Sequence, residues 1–264
     1  MADALMFSLI VGITAGLAAG YLGSLMVLEK MALVGDALSH VALPGLALGL
    51  MFNFEPILGG FAFLFVSTIV VWHLGRVSRL SFETLVGAMF TLALAIGILI
   101  TPEPDLLEAL FGNITNVTLM DTVMAVIVSV LAISLTKMVY NKVVLSLISE
   151  ELATSTGVNV AKTNLLYLLL VSTVVAIGIK ITGTLLVGFL VVVPAGAARS
   201  ISSNLYRYTV LSAIFGAISS SSGVLLSSFL NLQGRIIPPG PLVVLSGVAI
   251  FAVALVTRWL GKFS

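Results

Sequence analysis

Asp36, His40 and Pro44 stand at successive steps of four in the stretch Val34-Gly-Asp-Ala-Leu-Ser-His-Val-Ala-Leu-Pro-Gly-Leu46, and Gly45 follows at once. The flanks are apolar, nearly throughout from Phe7 to Leu28 and again from Leu46 to Phe52. On a helix, residues four apart lie about 6 Å along the axis and on nearly the same face. Asp36 and His40 therefore point the same way from one apolar helix. A carboxylate at the centre of a membrane segment costs roughly 2.5–3.5 kcal/mol on insertion scales, so it is rarely there without a task. Carboxylate and imidazole on one face suit a divalent metal ion or a proton relay. The competing reading is an Asp that caps a helix start, where it meets the positive end of the helix dipole, beside a His satisfied by a neighbouring helix. The spacing alone leaves both standing.

The composition sets the medium in which that pair must work. Of 264 residues, 59% are hydrophobic and 9% charged, with a mean hydropathy of +1.23. A soluble globule usually has about a quarter of its residues charged, so this chain reads as a polytopic membrane protein. No gap is long enough for a second core, and residues 1–264 read as one transmembrane domain. The absence of cysteine excludes disulfides and thiolate metal sites, and a net charge of +1 carries no sign of nucleic acid. Met1-Ala-Asp-Ala lacks the basic start of a signal peptide, so the first apolar stretch is expected to stay as a span. The Asn-x-Thr matches at Asn113 and Asn116 are of a kind common by chance.

A helical span needs about 20 apolar residues, and lipid admits only helices here because an isolated strand leaves its backbone groups unsatisfied. The expected fold is an all-α bundle of eight or nine transmembrane helices, near 6–27, 33–52, 56–74, 84–100, 121–140, 164–181, 184–198, 208–230 and 241–259. The seventh is short, ends in Pro194-Ala-Gly196, and could instead be re-entrant. Placing 141–163 in the cytoplasm puts ten of the twelve Lys and Arg residues inside, leaving only Lys180 and Arg235 outside. Nine spans then leave the N-terminus outside and the C-terminus in the cytoplasm. Asp3, Glu55, Glu103, Asp105, Glu108 and Asp121 fall on the outer face, either as a vestibule that concentrates cations or as a solvated acidic loop. In the external loop 101–113 the prolines break the preceding helix, and Leu106 to Phe111 can form an amphipathic turn.

Three further stretches carry structure. Ser149 can cap a short helix that opens with Glu150 and Glu151, and Gly157 can stop it. The segment Lys180 to Arg199 is dense in Gly, which suits either an interrupted helix lining a cavity or plain close packing. Ser219-Ser-Ser-Ser-Gly223 with Ser227 and Ser228 reads as a helix interface. His73, beside Trp72 and near Arg76, reads as interfacial rather than as a ligand, and Trp259 as an aromatic anchor.

The string Gly35-Asp36-Ala37-Leu38-Ser39-His40 followed by Leu43-Pro44-Gly45 resembles the hallmark of zinc and manganese ABC-transporter permeases, the membrane subunits of bacterial and archaeal metal importers. The likeness extends over essentially the whole chain. It implies a fold similar to type II ABC importer permeases, a prokaryotic plasma-membrane location and a homodimer around the pore. It also implies two ATPase chains and an extracytoplasmic metal-binding protein that meets the external loops. Asp36 and His40 become the expected metal ligands, with Gly35, Pro44 and Gly45 shaping their surroundings. Zn2+ or Mn2+ is then cargo, with no cofactor held permanently. The stretch 141–163 is similar to the segment that seats in a cleft of the ATPase, which assigns Glu150, Glu151, Ala153, Gly157 and Val158 to coupling.

No Gly-x-x-x-x-Gly-Lys-Ser/Thr loop occurs in the chain, so ATP is not bound here by that route and the chain is not expected to be an enzyme. An ion- or proton-coupled secondary transporter would use Asp36 and His40 as a relay and need no ATPase. An intramembrane enzyme would turn over a substrate as a single chain. A siderophore-type permease would have little use for the full Gly-Asp-x-x-x-His string. Zinc and manganese are not separated, because imidazole and carboxylate serve both.

Overall fold

The computed structural model of the chain describes residues 2–78, 80–100, 117–232, 235–236 and 238–260. The loop 101–113, expected to be external, with Glu103, Asp105, Glu108 and Asn113, lies outside the described residues, as does Asn116. Eleven helices follow in order among those described: α1 Ala2–Leu28, α2 Ala32–Val41, α3 Leu43–Met51, α4 Pro56–Val77, α5 Phe82–Ile100, α6 Leu119–Ile148, α7 Glu150–Ser155, α8 Val160–Thr182, α9 Thr184–Ile201, α10 Leu205–Phe229 and α11 Pro239–Leu260. A two-residue hairpin, β1 Asn231–Leu232 with β2 Arg235–Ile236, joins the last two helices. Among the described residues, eight stretches are long and apolar enough to cross a bilayer, with α2 and α3 together making one of them, Val34–Met51. The apolar part of α9, Val187–Ile201, is shorter. These match the nine expected segments, including the short seventh.

The helix boundaries are written in local chemistry. Thr118 and Asp121 form a capping box at the start of α6, while Asn159 and Asn204 accept the N–H of Lys162 and Arg207 to open α8 and α10. At the ends of α1, α3 and α7 the chain closes with one device, in which two successive N–H groups beyond the helix turn back to carbonyls inside it. Lys30 and Met31 bond Val27 and Met26, Asn53 and Phe54 bond Leu50 and Gly49, and Gly157 and Val158 bond Thr154 and Ala153. This closure needs a left-handed residue, and Lys30, Asn53 and Gly157 have φ of 62°, 55° and 83°.

Two expectations change. The span 33–52 is broken at Ala42, because Pro44 has no N–H to offer the His40 carbonyl one turn back. The segment 141–148 is helical, since α6 runs for 30 residues, about 45 Å, and outlasts a hydrocarbon core of about 30 Å. The connection from α6 to α8 therefore begins at Ser149.

Helix α1 sits at the centre and packs on α6, α8, α9 and α10. Lipid gives apolar helices no hydrophobic reason to associate, so small residues that let backbones approach supply the packing. A Cβ on Gly16 would strike the Gly216 carbonyl, and one on Gly20 the Ser212 carbonyl. Polar bonds join the same pair of helices: the Ser212 hydroxyl donates to the Gly20 carbonyl, and the Tyr208 hydroxyl to the Ser24 carbonyl at 2.9 Å. The serine-rich stretch of α10 is an interface as expected, with Ser219 and Ser220 fully buried and Gly223 against the Val243 backbone of α11. At the other end of α4, His73 is exposed, while the Trp72 indole donates to the Ala161 carbonyl at 3.1 Å under the Arg76 guanidinium.

Glu29, the residue after α1, is the misfit of this arrangement. It stands at the negative end of the α1 dipole, its Oε2 is buried without a hydrogen-bond partner, and its carboxylate lies within electrostatic reach of Tyr167. Burial pushes its carboxyl up to about 7 from the ordinary 4.5. A raised acid pKa favours the folded state fully below about pH 4.5, and that contribution is lost as pH rises to about 7. Glu29→Gln is expected to raise the melting temperature at pH 8, with the gain shrinking steadily toward pH 5. Thermal unfolding of the two proteins in detergent across that range checks it, and parallel pH profiles would refute it.

Candidate functional site

The pair that opened the sequence is placed on the buried helix α2, which packs against α5, α8 and α9. Asp36 is half-buried and His40 is 8% exposed, one helical turn apart and within electrostatic reach of each other. The His40 ring lies 5.4 Å from the Phe90 ring of α5, centroid to centroid, and its Nδ1 is buried without a hydrogen-bond partner. Buried polar atoms are nearly always satisfied, so an orphan imidazole nitrogen is a ligand position in waiting. Asp36 does not serve as the helix cap: α2 begins at Ala32, Met31 precedes it without a side-chain cap bond, and Ser39 donates to the Asp36 main-chain oxygen at 2.6 Å. The capping alternative is thereby removed.

The helix breaks after His40. With no N–H on Pro44, the His40 carbonyl lacks its ordinary helical donor, and the Ala42 N–H turns to it and to the Ser39 carbonyl instead. Pro44 and Gly45 are both buried in the first turn of α3, where a Cβ on Gly45 would strike the Gly59 carbonyl of α4. Gly35 is different: a Cβ there would meet Met26 and Val191 only at 3.5 Å, an ordinary contact. No group of three or more His, Cys, Asp or Glu side chains gathers among the described residues, so one chain brings two such ligands to this place. A stable divalent site wants four or more.

The segment from Ser149 to Val158 forms a separate feature. Ser149 caps α7 by accepting the Leu152 N–H at 3.2 Å, and Gly157 closes it with positive φ, as the sequence implies. Glu150, Glu151 and Gly157 are exposed, and Val158 is half-buried. Ala153 is fully buried, which places its methyl group against the chain's own helices while the two acids project.

The model of the ABC 3 transport family matches residues 1–258. The chain is 30% identical over 251 residues to the manganese transport system membrane protein MntC of Listeria monocytogenes, covering 94% of this chain and 88% of that one. It is 28% identical over 254 residues to the high-affinity zinc uptake system membrane protein ZnuB of Buchnera aphidicola, covering 94% and 95%. Among solved structures it is similar to a chain of PsaBC from Streptococcus pneumoniae in complex with Fab, with a TM-score of 0.82, 27% identity and coverage of 95% and 90%.

Sequence reasoning missed one residue at this site, Gly188 of α9. A Cβ there would overlap the Asp36 main chain, so α9 lies directly against the backbone that carries the carboxylate. The run of glycines from 183 to 196 was the available signal, but it did not say which of them meets which helix. Overpacking of this kind costs about 1–3 kcal/mol. Gly188→Val is expected to lower the melting temperature in detergent, whereas Gly87→Val, with nothing within 4 Å of its added atom, leaves it nearly unchanged. Equal melting temperatures for the two variants would refute the close approach of α9 to Asp36.

Proposed function

The chain belongs to the ABC 3 transport family, and on that premise we propose that it is the membrane-spanning permease subunit of an ATP-driven importer of manganese or zinc. The observation that carries the reading is Asp36 and His40, one turn apart on a buried helix, with an unpartnered imidazole nitrogen beside a half-buried carboxylate. One chain offers too few side-chain ligands for a lasting site. A homodimer with the pore on its two-fold axis would bring two carboxylates and two imidazoles together. The ion is held only as long as passage requires, since a permeation site that binds too well becomes a trap. Membership of an ABC family disfavours the secondary-transporter and intramembrane-enzyme readings, because ATP is spent on a partner chain. Relatives of both metals and a ligand set that suits both leave manganese and zinc as joint candidates.

Asp36→Asn with His40→Ala is expected to abolish uptake of radioactive manganese and zinc into proteoliposomes holding the full complex, while assembly with the ATPase persists. Near-normal transport of both ions by the double variant would sink the proposal.

The remaining partners follow from the same reading. Positive-inside placement leaves α7 in the cytoplasm, the N-terminus outside and the external loops open to a metal-binding protein. A capped helix at the end of a 30-residue helix is a firm contact for an ATPase, and Glu150, Glu151, Gly157 and Val158 are its accessible face, anchored by Ala153. Glu151→Lys is expected to cut transport-coupled ATPase activity at least several-fold, and Gly157→Leu to weaken co-purification of the two subunits. Unchanged coupling and unchanged assembly in both would rule out docking at α7.

A further inference from the structure

A cavity of about 410 Å³ opens between α1, α4, α6 and α8, at the end of the bundle that carries Glu55 and Asp121. That volume is within the range of small-molecule sites. Small buried side chains leave the hollow: Val11 of α1, Ala125 of α6 and Ala176 of α8 are 2%, 6% and 3% exposed. The described lining is apolar apart from the two carboxylates. It runs from Glu55 to Phe61 on one wall and from Asp121 to Val128 on the other, about 9–10 Å along the helix axes.

The neighbours of the mouth decide which medium it faces. Leu58 and Met124, both in the lining, are 65% and 55% exposed, and Met120 and Ile127 beside them are exposed as well. Large apolar side chains at a bilayer-spanning level face hydrocarbon, so the hollow opens sideways to lipid with its acids at the interface. Those acids set the head that fits. The N–H groups at the start of α6, which would attract a phosphate, are already engaged, since Asp121 accepts the Thr118 N–H and hydroxyl at 2.9 and 2.7 Å and Thr118 accepts the Asp121 N–H. Glu55 precedes Pro56 at the start of α4 and makes no side-chain cap bond. The exposed Glu55 carboxylate at the rim repels an anionic head and can accept the N–H groups of a primary ammonium, which a quaternary one lacks.

We propose that this cavity is a binding site for a phospholipid with a primary-amine headgroup, its acyl chain in the hollow and its ammonium at Glu55. With Glu55 on the outer face, as the proposed orientation has it, this is an outer-leaflet lipid placed against the central helix α1.

The test is native mass spectrometry of the full permease–ATPase complex, washed in detergent and supplied with equal phosphatidylethanolamine, phosphatidylglycerol and phosphatidylcholine of identical chains. The wild-type complex is expected to retain phosphatidylethanolamine several-fold over either competitor. Glu55→Gln is expected to bring the three lipids close to parity while lipid is still retained. Ala125→Phe fills the hollow and is expected to abolish retention; if that variant fails to assemble, Ala125→Leu should reduce it. Parity among the lipids on the wild type overturns the amine reading in favour of unselective annular lipid. No retained lipid, or retention undiminished in the filled variant, overturns the site. Because no ion is measured, these outcomes stand or fall separately from the transport reading.

Discussion

Main chain meets main chain at most of the crossings that define this bundle. Gly16 lies on the Gly216 carbonyl, Gly20 on that of Ser212, Gly23 on that of Val191, and Gly45 and Gly59 lie on each other's. A soluble protein would fill such crossings with Leu and Val and gain from leaving water. In lipid that gain is absent, so dispersion between closely approaching backbones has to hold the helices together. Helix α2 inherits its position from these contacts. It is wedged against α9, where Gly188 lies on the Asp36 main chain, and α9 is fixed in turn by Gly23 of α1 against Val191.

The second consequence concerns polar groups, which close packing strips of any alternative partner. Most hydroxyls in the bundle are spent locally or across a crossing. Ser134 and Thr136 donate to carbonyls of their own helix, Thr68 and Ser172 bond each other at 2.7 Å, and Tyr140 and Thr209 at 2.8 Å. These bonds add specificity to the crossings, each being worth about 0.6 kcal/mol on average in a membrane. Against that background the exceptions stand out. Six side chains among the described residues keep a buried atom without a partner, and two of them are ionisable: His40, with a ring nitrogen in the interior, and Glu29, with an oxygen where α1 hands over to α2. These two lie on the short route of chain from 29 to 40, whereas the neutral four, Ser129, Asn164, Thr184 and Ser220, lie elsewhere in the bundle.

Much of this was legible in the residues, and what was not has a common cause. Composition and apolar run length gave the spans, because lipid enforces helices. Ser149 and Gly157 announced α7, because cap and stop signals are local chemistry. Asp36 and His40 were legible as a pair from their spacing. The closures at Lys30 and Asn53 were hidden, since neither residue is the glycine that usually marks a left-handed turn. The continuation of α6 to Ile148 was hidden too: Asn141 and Lys142 end the hydropathy but not the helix. Gly188 and Glu29 were illegible for a different reason. The importance of Gly188 comes from the Asp36 backbone more than a hundred residues away, and that of Glu29 from burial by the packed bundle, which the residues around it do not announce.

The geometry also links the two places where function is assigned. Helix α7 packs against the neighbouring ends of α6 and α8, and α8 packs against α2. The Trp72 bond to Ala161 fastens the first turn of α8 to the end of α4, so α8 does not begin loosely. Helix α8 is thus an anchored element that touches both α7 and the carrier of Asp36 and His40. At Pro44 the ladder of helical hydrogen bonds is interrupted. On one side of that break α2 packs on α8 and α9, while on the other α3 packs on α4 through Gly45 and Gly59. The proline thus divides the span into a half that carries Asp36 and His40 and a half held by a different neighbour, so the two halves take their positions from separate contacts.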